Sequence, residues 1–131
     1  MSSVLLIDDN SAARKAIGHA LARAGHAVTT ARDGQEGARL FRELGAELVV
    51  VDMLMPGKEG IATILDIRAA NPDARILAIS GGGDGGFVAD DILRIAELLG
   101  ADGAIRKPFK TAELLAAVAR CLGAGTGPKA A

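Results

Sequence analysis

Short, mostly apolar runs that each end on a chemically active residue constrain this chain more than any other feature. Val4-Leu5-Leu6-Ile7 leads into Asp8-Asp9, and Leu48-Val49-Val50-Val51 into Asp52. Arg75 to Ile79 leads into Ser80, and Gly103 to Arg106 into Lys107-Pro108. The strongest runs are continuously apolar and do not alternate with polar residues. Strands of that kind are buried on both faces, as in a parallel sheet covered by helices. Ala27 to Ala31 is a further strand, β-prone through Val28, Thr29 and Thr30. Helical periods fill the intervals. Ser11 to Ala24 places Ala13, Ala16, Ile17, Ala20, Leu21 and Ala24 at helical spacing, with Gly25 as its C-terminal cap. A second helix covers Gln35 to Leu44 and stops at Gly45. A third covers Ile61 to Ala70 and stops before Asn71-Pro72. A fourth covers Phe87 to Leu99, and a fifth covers Thr111 to Leu122 with Lys110 or Thr111 as N-cap.

Five strand–helix units joined by right-handed crossovers make a doubly wound α/β fold. The expected sheet is parallel and five-stranded, in the flavodoxin-like order 2-1-3-4-5, with helices on both faces. A chain of 131 residues has the length of one domain. Residues 1–123 form that domain in this reading, residues 124–131 are a short flexible Gly/Ala-rich tail, and no effector domain is expected. Aromatic residues make up 2% of the chain, too few for a platform on which bases stack. A net charge of −1 supplies no positive field, so no nucleic-acid partner is expected. The lone Cys121 excludes an internal disulfide and a multi-cysteine metal site, and is expected to be packed. No apolar run approaches the ~20 residues of a membrane helix. Asp8-Asp9 follows the first apolar run at once, unlike a signal peptide. A cytoplasmic protein without membrane contact is expected.

Ligands of open parallel sheets bind beyond the carboxyl ends of the strands. Asp8, Asp9, Asp52, Ser80 and Lys107 all fall there. Carboxylates gathered at one edge repel and need a cation. A hard divalent ion such as Mg2+, with Mn2+ as its substitute, suits an all-oxygen site that also takes phosphate oxygens. Asp52, on the central run, is positioned to act as a nucleophile that carries a phosphoryl group. Taken singly, a strand-end Asp is a turn or cap residue and a lone Ser or Lys is a solvated side chain. It is the coincidence of these residues at the ends of four strands that points to function.

From residues 3 to 122 the sequence resembles a bacterial response-regulator receiver domain. The resemblance is carried by Val4-Leu5-Leu6-Ile7-Asp8-Asp9, Val49-Val50-Val51-Asp52-Met53-Leu54-Met55-Pro56-Gly57, Ala78-Ile79-Ser80-Gly81, and Leu99-Gly100-Ala101-Asp102-Gly103 running into Lys107-Pro108-Phe109. It implies that Asp52 accepts a phosphoryl group from a histidine on a kinase or a phosphotransfer protein. It implies Mg2+ ligation by Asp9 directly, by Asp52 and by the backbone carbonyl of Leu54, with Asp8 helping through water or as a further ligand. Lys107 would pair with one phosphoryl oxygen and Ser80 with another, and Lys107-Pro108 would be a cis peptide bond. The chain would work as a single-domain regulator, monomeric or weakly dimeric on phosphorylation, acting on an unidentified downstream protein. It would not be an enzyme in the ordinary sense. The alternative is a degenerate receiver that binds protein without phosphorylation.

The sequence departs from the family where Tyr or Phe often stands three residues before the lysine: here that position is Ala104. Gly81-Gly82-Gly83-Asp84-Gly85-Gly86 lengthens the segment after Ser80, and with Phe87 it is expected to take over the switching. Leu54 and Gly82 offer no polar side chain to orient water, so a long-lived phosphoryl state is expected. The glycine stretch lacks the lysine and hydroxyl of a phosphate-cradling loop. A phosphatase with a strand-end Asp nucleophile would want a second Asp at the position of Leu54. His19 and His26 lack any matching ligand pattern.

Overall fold

The computed structural model of the chain describes residues 2–53, 59–80, 94 and 96–123. Five strands, β1 (Ser3–Ile7), β2 (Ala27–Ala31), β3 (Leu48–Asp52), β4 (Ile76–Ser80) and β5 (Gly103–Arg106), form one sheet in the order β2-β1-β3-β4-β5. Every pairing is parallel. The helices, in chain order, are α1 (Ser11–Arg23), α2 (Gly34–Leu44), α3 (Glu59–Ala70) and α4 (Thr111–Gly123). Residues 94 and 96–98 are also helical, within the stretch expected as the fourth helix. Leu99, expected as its last residue, lies in the turn that follows. Residues 81–93, with the glycine stretch and Phe87 among them, residue 95, Leu54 and the tail lie outside the described residues.

Continuous apolar strands produce two cores because neighbouring side chains leave opposite faces of the sheet. Leu5, Ile7, Val49, Val51, Ile76 and Ala78 face one layer, with Phe41 of α2 and Ile64 and Ile67 of α3. Val4, Leu6, Leu48, Val50, Leu77 and Ile79 face the other, with Ile17 and Leu21 of α1 and Leu114, Val118 and Cys121 of α4. Cys121 is packed, as expected: a Cβ on Gly103 would lie 2.9 Å from its sulfur.

Local signals set the helix ends. Asn10 caps α1 by accepting from the Ala13 N–H at 2.8 Å. Asp33 caps α2, and Glu36 reaches back to the Arg32 N–H at 2.8 Å, a reciprocal arrangement that satisfies otherwise orphaned donors. The Lys110 N–H donates to Glu113 at the start of α4. Gly25 follows α1 at φ +98°, a conformation that costs glycine nothing. Gly37 answers a different need. A Cβ there would lie 2.3 Å from Ile7 Cδ1, so the missing side chain lets α2 sit against the last residue of β1.

Asp52 and Ser80 are the last residues within β3 and β4, one position further along than the runs of apolar residues suggest. The ladder continues past them because Met53 N–H donates to Ile79 O and Lys107 N–H to Ser80 O, each at 2.7 Å. Both residues are therefore held by sheet hydrogen bonds, not by a loop.

At the opposite end of the sheet, Arg68 of α3 donates to the carbonyls of Pro72, Ala74 and Gly100. It also lies 3.6 Å from Asp102, which accepts the Ile76 N–H at 2.8 Å. Both side chains are largely shielded, at 20% and 12% exposure. Arg68→Ala would take the ion-pair partner from Asp102 and a donor from three carbonyls. We expect it to lower stability by about 2–3 kcal/mol in urea unfolding. Arg68→Lys should recover only part of this, since an ammonium cannot span the same fork of acceptors. A loss below about 0.5 kcal/mol, the range of an ordinary surface change, would contradict this role.

Candidate functional site

The carboxyl ends of β1, β3, β4 and β5 bring the expected residues to one edge. Asp8, Asp9 and Asp52 each offer a carboxylate oxygen, and these oxygens lie within 4.8 Å of one another. The two adjacent aspartates differ sharply. Asp8 is fully buried and Asp9 is exposed. Asp52 is 3% exposed. Lys107 Nζ lies 3.4 Å from Asp52 Oδ2 and 3.8 Å from Asp8 Oδ2. The Lys107–Pro108 bond is cis.

The turn after β1 is fixed from several directions. Asp8 N–H donates to Ala31 O at 3.1 Å, and Asp8 Oδ1 accepts the Asn10 N–H at 2.9 Å. Arg14 Nη1 donates to the Asp8 carbonyl at 2.9 Å. Asp8 Oδ2, by contrast, is buried with no hydrogen-bond partner among the described residues. Burial pushes the Asp8 carboxyl up to about 6, opposed by the Asn10 N–H, reinforced by the charge and hydrogen-bonding of Asp52, and eased by Lys107. A hydrogen bond between two carboxyls needs a proton on one of them, so with both ionised Asp8 Oδ2 has, among the described residues, only the ion pair with Lys107 at 3.8 Å.

An oxygen-only donor set with one buried, unpartnered carboxylate oxygen fits a hard divalent cation such as Mg2+. The ion would take up the charge that Lys107 alone only partly offsets. Ser80 Oγ is also buried without a partner among the described residues. A hydroxyl at that position can donate to any acceptor oxygen that comes within reach. Ala104 is partly buried on β5, in register with Ala78, and packs against the core that includes Val51. His19 is exposed and His26 partly buried, and neither joins the acidic cluster. Nothing in the sequence singles out Arg14. Its position in the first turn of α1, six residues after Asp8, carries no local motif that would reveal a contact with a backbone carbonyl.

An open parallel sheet whose strand ends present acidic residues, a hydroxyl and an amine defines the class of protein to which the chain should be compared. The family model "Response regulator receiver domain" matches residues 4–119, and the chain belongs to that family. It is 36% identical over 115 residues to the probable transcriptional regulator ycf27 of Guillardia theta, covering 88% of this chain and 43% of that one. It is 33% identical over 124 residues to the protein CcdB of Bacillus subtilis (strain 168), covering 94% of this chain and 99% of that one. The crystal structure of the chemotaxis protein CheY4 of Vibrio cholerae superposes with a TM-score of 0.81 at 27% identity, covering 93% of this chain and 99% of that one. The chain thus spans the length of some relatives and less than half of others.

Proposed function

We propose that this chain is a phosphoryl-accepting switch of two-component signalling, with Asp52 as the acceptor. One observation carries the reading: a nearly buried carboxylate lies within 4.8 Å of two others and 3.4 Å from an ammonium. Asp52 attacks the phosphorus of a phosphohistidine on a kinase or phosphotransfer protein. A P–O bond to the carboxylate forms as the P–N bond to the histidine breaks, and the imidazole nitrogen leaves with the electron pair. The product is an acyl phosphate. Asp9, Asp8, Asp52 and the Leu54 carbonyl would hold Mg2+, which when bound supplies charge neutralisation for the phosphoryl oxygens. Lys107 neutralises a further oxygen, and the Ser80 hydroxyl donates to another. Added charge and new acceptors beside Ser80 then change the surface around the site, which is how a local modification becomes a change of partner.

The chain is a regulator that promotes its own phosphorylation and slow dephosphorylation, not an enzyme acting on outside substrates. It works in the cytoplasm through contact with another protein. The test is intact mass after incubation with acetyl phosphate and Mg2+. The wild type should gain one phosphoryl group, and should not gain it with a chelator or as Asp52→Ala. A gain that survives Asp52→Ala would place the acceptor elsewhere. Failure to accept phosphate from any donor, together with no Mg2+ binding, would leave a protein-binding module that works without phosphorylation.

A further inference from the structure

From Ser11 to Arg32 the sequence has no Asp or Glu, but includes Arg14, Lys15, Arg23 and Arg32, with His19 and His26. In a chain of net charge −1, this makes α1 and β2 a basic island. The island has a shape as well as a charge. β2 is an outer strand, paired on one side only, with β1. Between α1 and β2 lies a shallow, open trough of about 370 Å3. Its lining is small and mostly apolar, from Gly18, Ala22 and Val28 with the Thr30 side chain beside them. Arg14, Lys15 and His19 line it as well, and no lining residue is acidic. Lys15 and His19 are exposed.

We propose that this trough docks an acidic protein segment that places aliphatic side chains on the floor and carboxylates against Lys15 and His19. An apolar floor with a charged rim is the anatomy of a peptide groove. A surface built for phosphates alone would have no use for such a floor, and no aromatic residue lines the trough to stack a base. The binding assay needs no phosphoryl transfer at Asp52, so its outcome is read separately from that reaction.

Gly18 makes the proposal testable, with the urea midpoint as the check on the fold. A Cβ there would lie 3.8 Å from Thr30 Cγ2, 3.9 Å from Leu6 Cδ2 and 4.0 Å from Val28 Cγ1, ordinary contact distances. Gly18→Leu therefore fills the trough while replacing a poor helix former by a good one. The experiment uses a fluorescein-labelled peptide of alternating leucine and glutamate, with its leucine–lysine counterpart as control. A short DNA duplex and phosphatidylglycerol vesicles serve as competing polyanions. Binding is read by anisotropy and located by amide chemical shifts.

The acidic peptide should bind, weaken with salt, and shift amides of α1 and β2. Both Lys15→Glu and Gly18→Leu should weaken it about tenfold or more, with urea midpoints no lower than wild type. Several outcomes would overturn the proposal: acidic and basic peptides binding equally, Gly18→Leu binding like wild type, or shifts confined to other elements. Tighter binding of the duplex or the vesicles than of the peptide would also overturn it, in favour of a polyanion surface.

Discussion

Lys107→Ala is expected to slow phosphoryl transfer from acetyl phosphate about 10²–10³-fold at saturating Mg2+, the usual cost of losing one fixed donor to a developing charge. The geometry explains the size. Lys107 contacts both buried carboxylates, at 3.4 and 3.8 Å, and its backbone N–H is tied to Ser80 O at 2.7 Å. The ammonium is thus held in position before any substrate arrives, so its electrostatic benefit needs no reorganisation during the reaction. Lys107→Arg retains charge but not the compact point donor, and should fall between the two. The rates come from time courses of intact mass. A Lys107→Ala rate within about threefold of wild type, less than ~1 kcal/mol of barrier, would remove the lysine from the mechanism.

Asp8→Asn is expected to stabilise the metal-free protein by about 2–3 kcal/mol at pH 7. Burial raises the Asp8 carboxyl from 3.8 to about 6. Between those pH values the folded chain holds a proton that the unfolded chain has released. Its stability therefore falls as pH rises from about 4 to about 6, and levels off above. The substituted amide would keep the acceptor for the Asn10 N–H and lose the buried charge, so this slope should vanish in the variant. Mg2+ should act in the opposite sense on the wild type. It stabilises the folded state by mass action, and binds more weakly below about pH 6, where it competes with the Asp8 proton. Urea unfolding in chelator at about pH 4 and pH 7, with and without Mg2+, tests all of this. An Asp8→Asn variant less stable than wild type at neutral pH would contradict it.

Much of this molecule can be read from its sequence because its central strands, β1, β3 and β4, are buried on both faces. A run such as Leu48–Val51 identifies a strand, and a polar residue directly after it must emerge at the sheet edge. That logic locates Asp52, Ser80 and Lys107. It does not distinguish Asp8 from Asp9, since adjacent carboxylates look alike until the turn sends one into the core and the other into solvent. Nor does it find Arg68 and Asp102. A basic residue in the last turn of a helix reads as a favourable partner for the helix dipole, and nothing local indicates that it clasps Gly100 and Asp102 across the fold. Gly37 is similar. By propensity it weakens α2, and only the position of Ile7 shows what the absent side chain makes room for. The α1–β2 trough needs both kinds of information: charge asymmetry from the sequence and an open edge strand from the topology.

The acidic site is also drawn from widely separated stretches of the chain. Asp8 and Asp9 follow the first strand, Asp52 comes from the middle of the chain, and Lys107 from just after the last strand. A ribosome-bound chain that has not yet delivered β5 carries its three carboxylates without the ammonium that offsets them, and β4 without its outer neighbour. Long-range pairings of this kind form late. Under the proposed mechanism a half-made chain is therefore mute, because the charges that take up a phosphoryl group are brought together only when β5 joins the sheet.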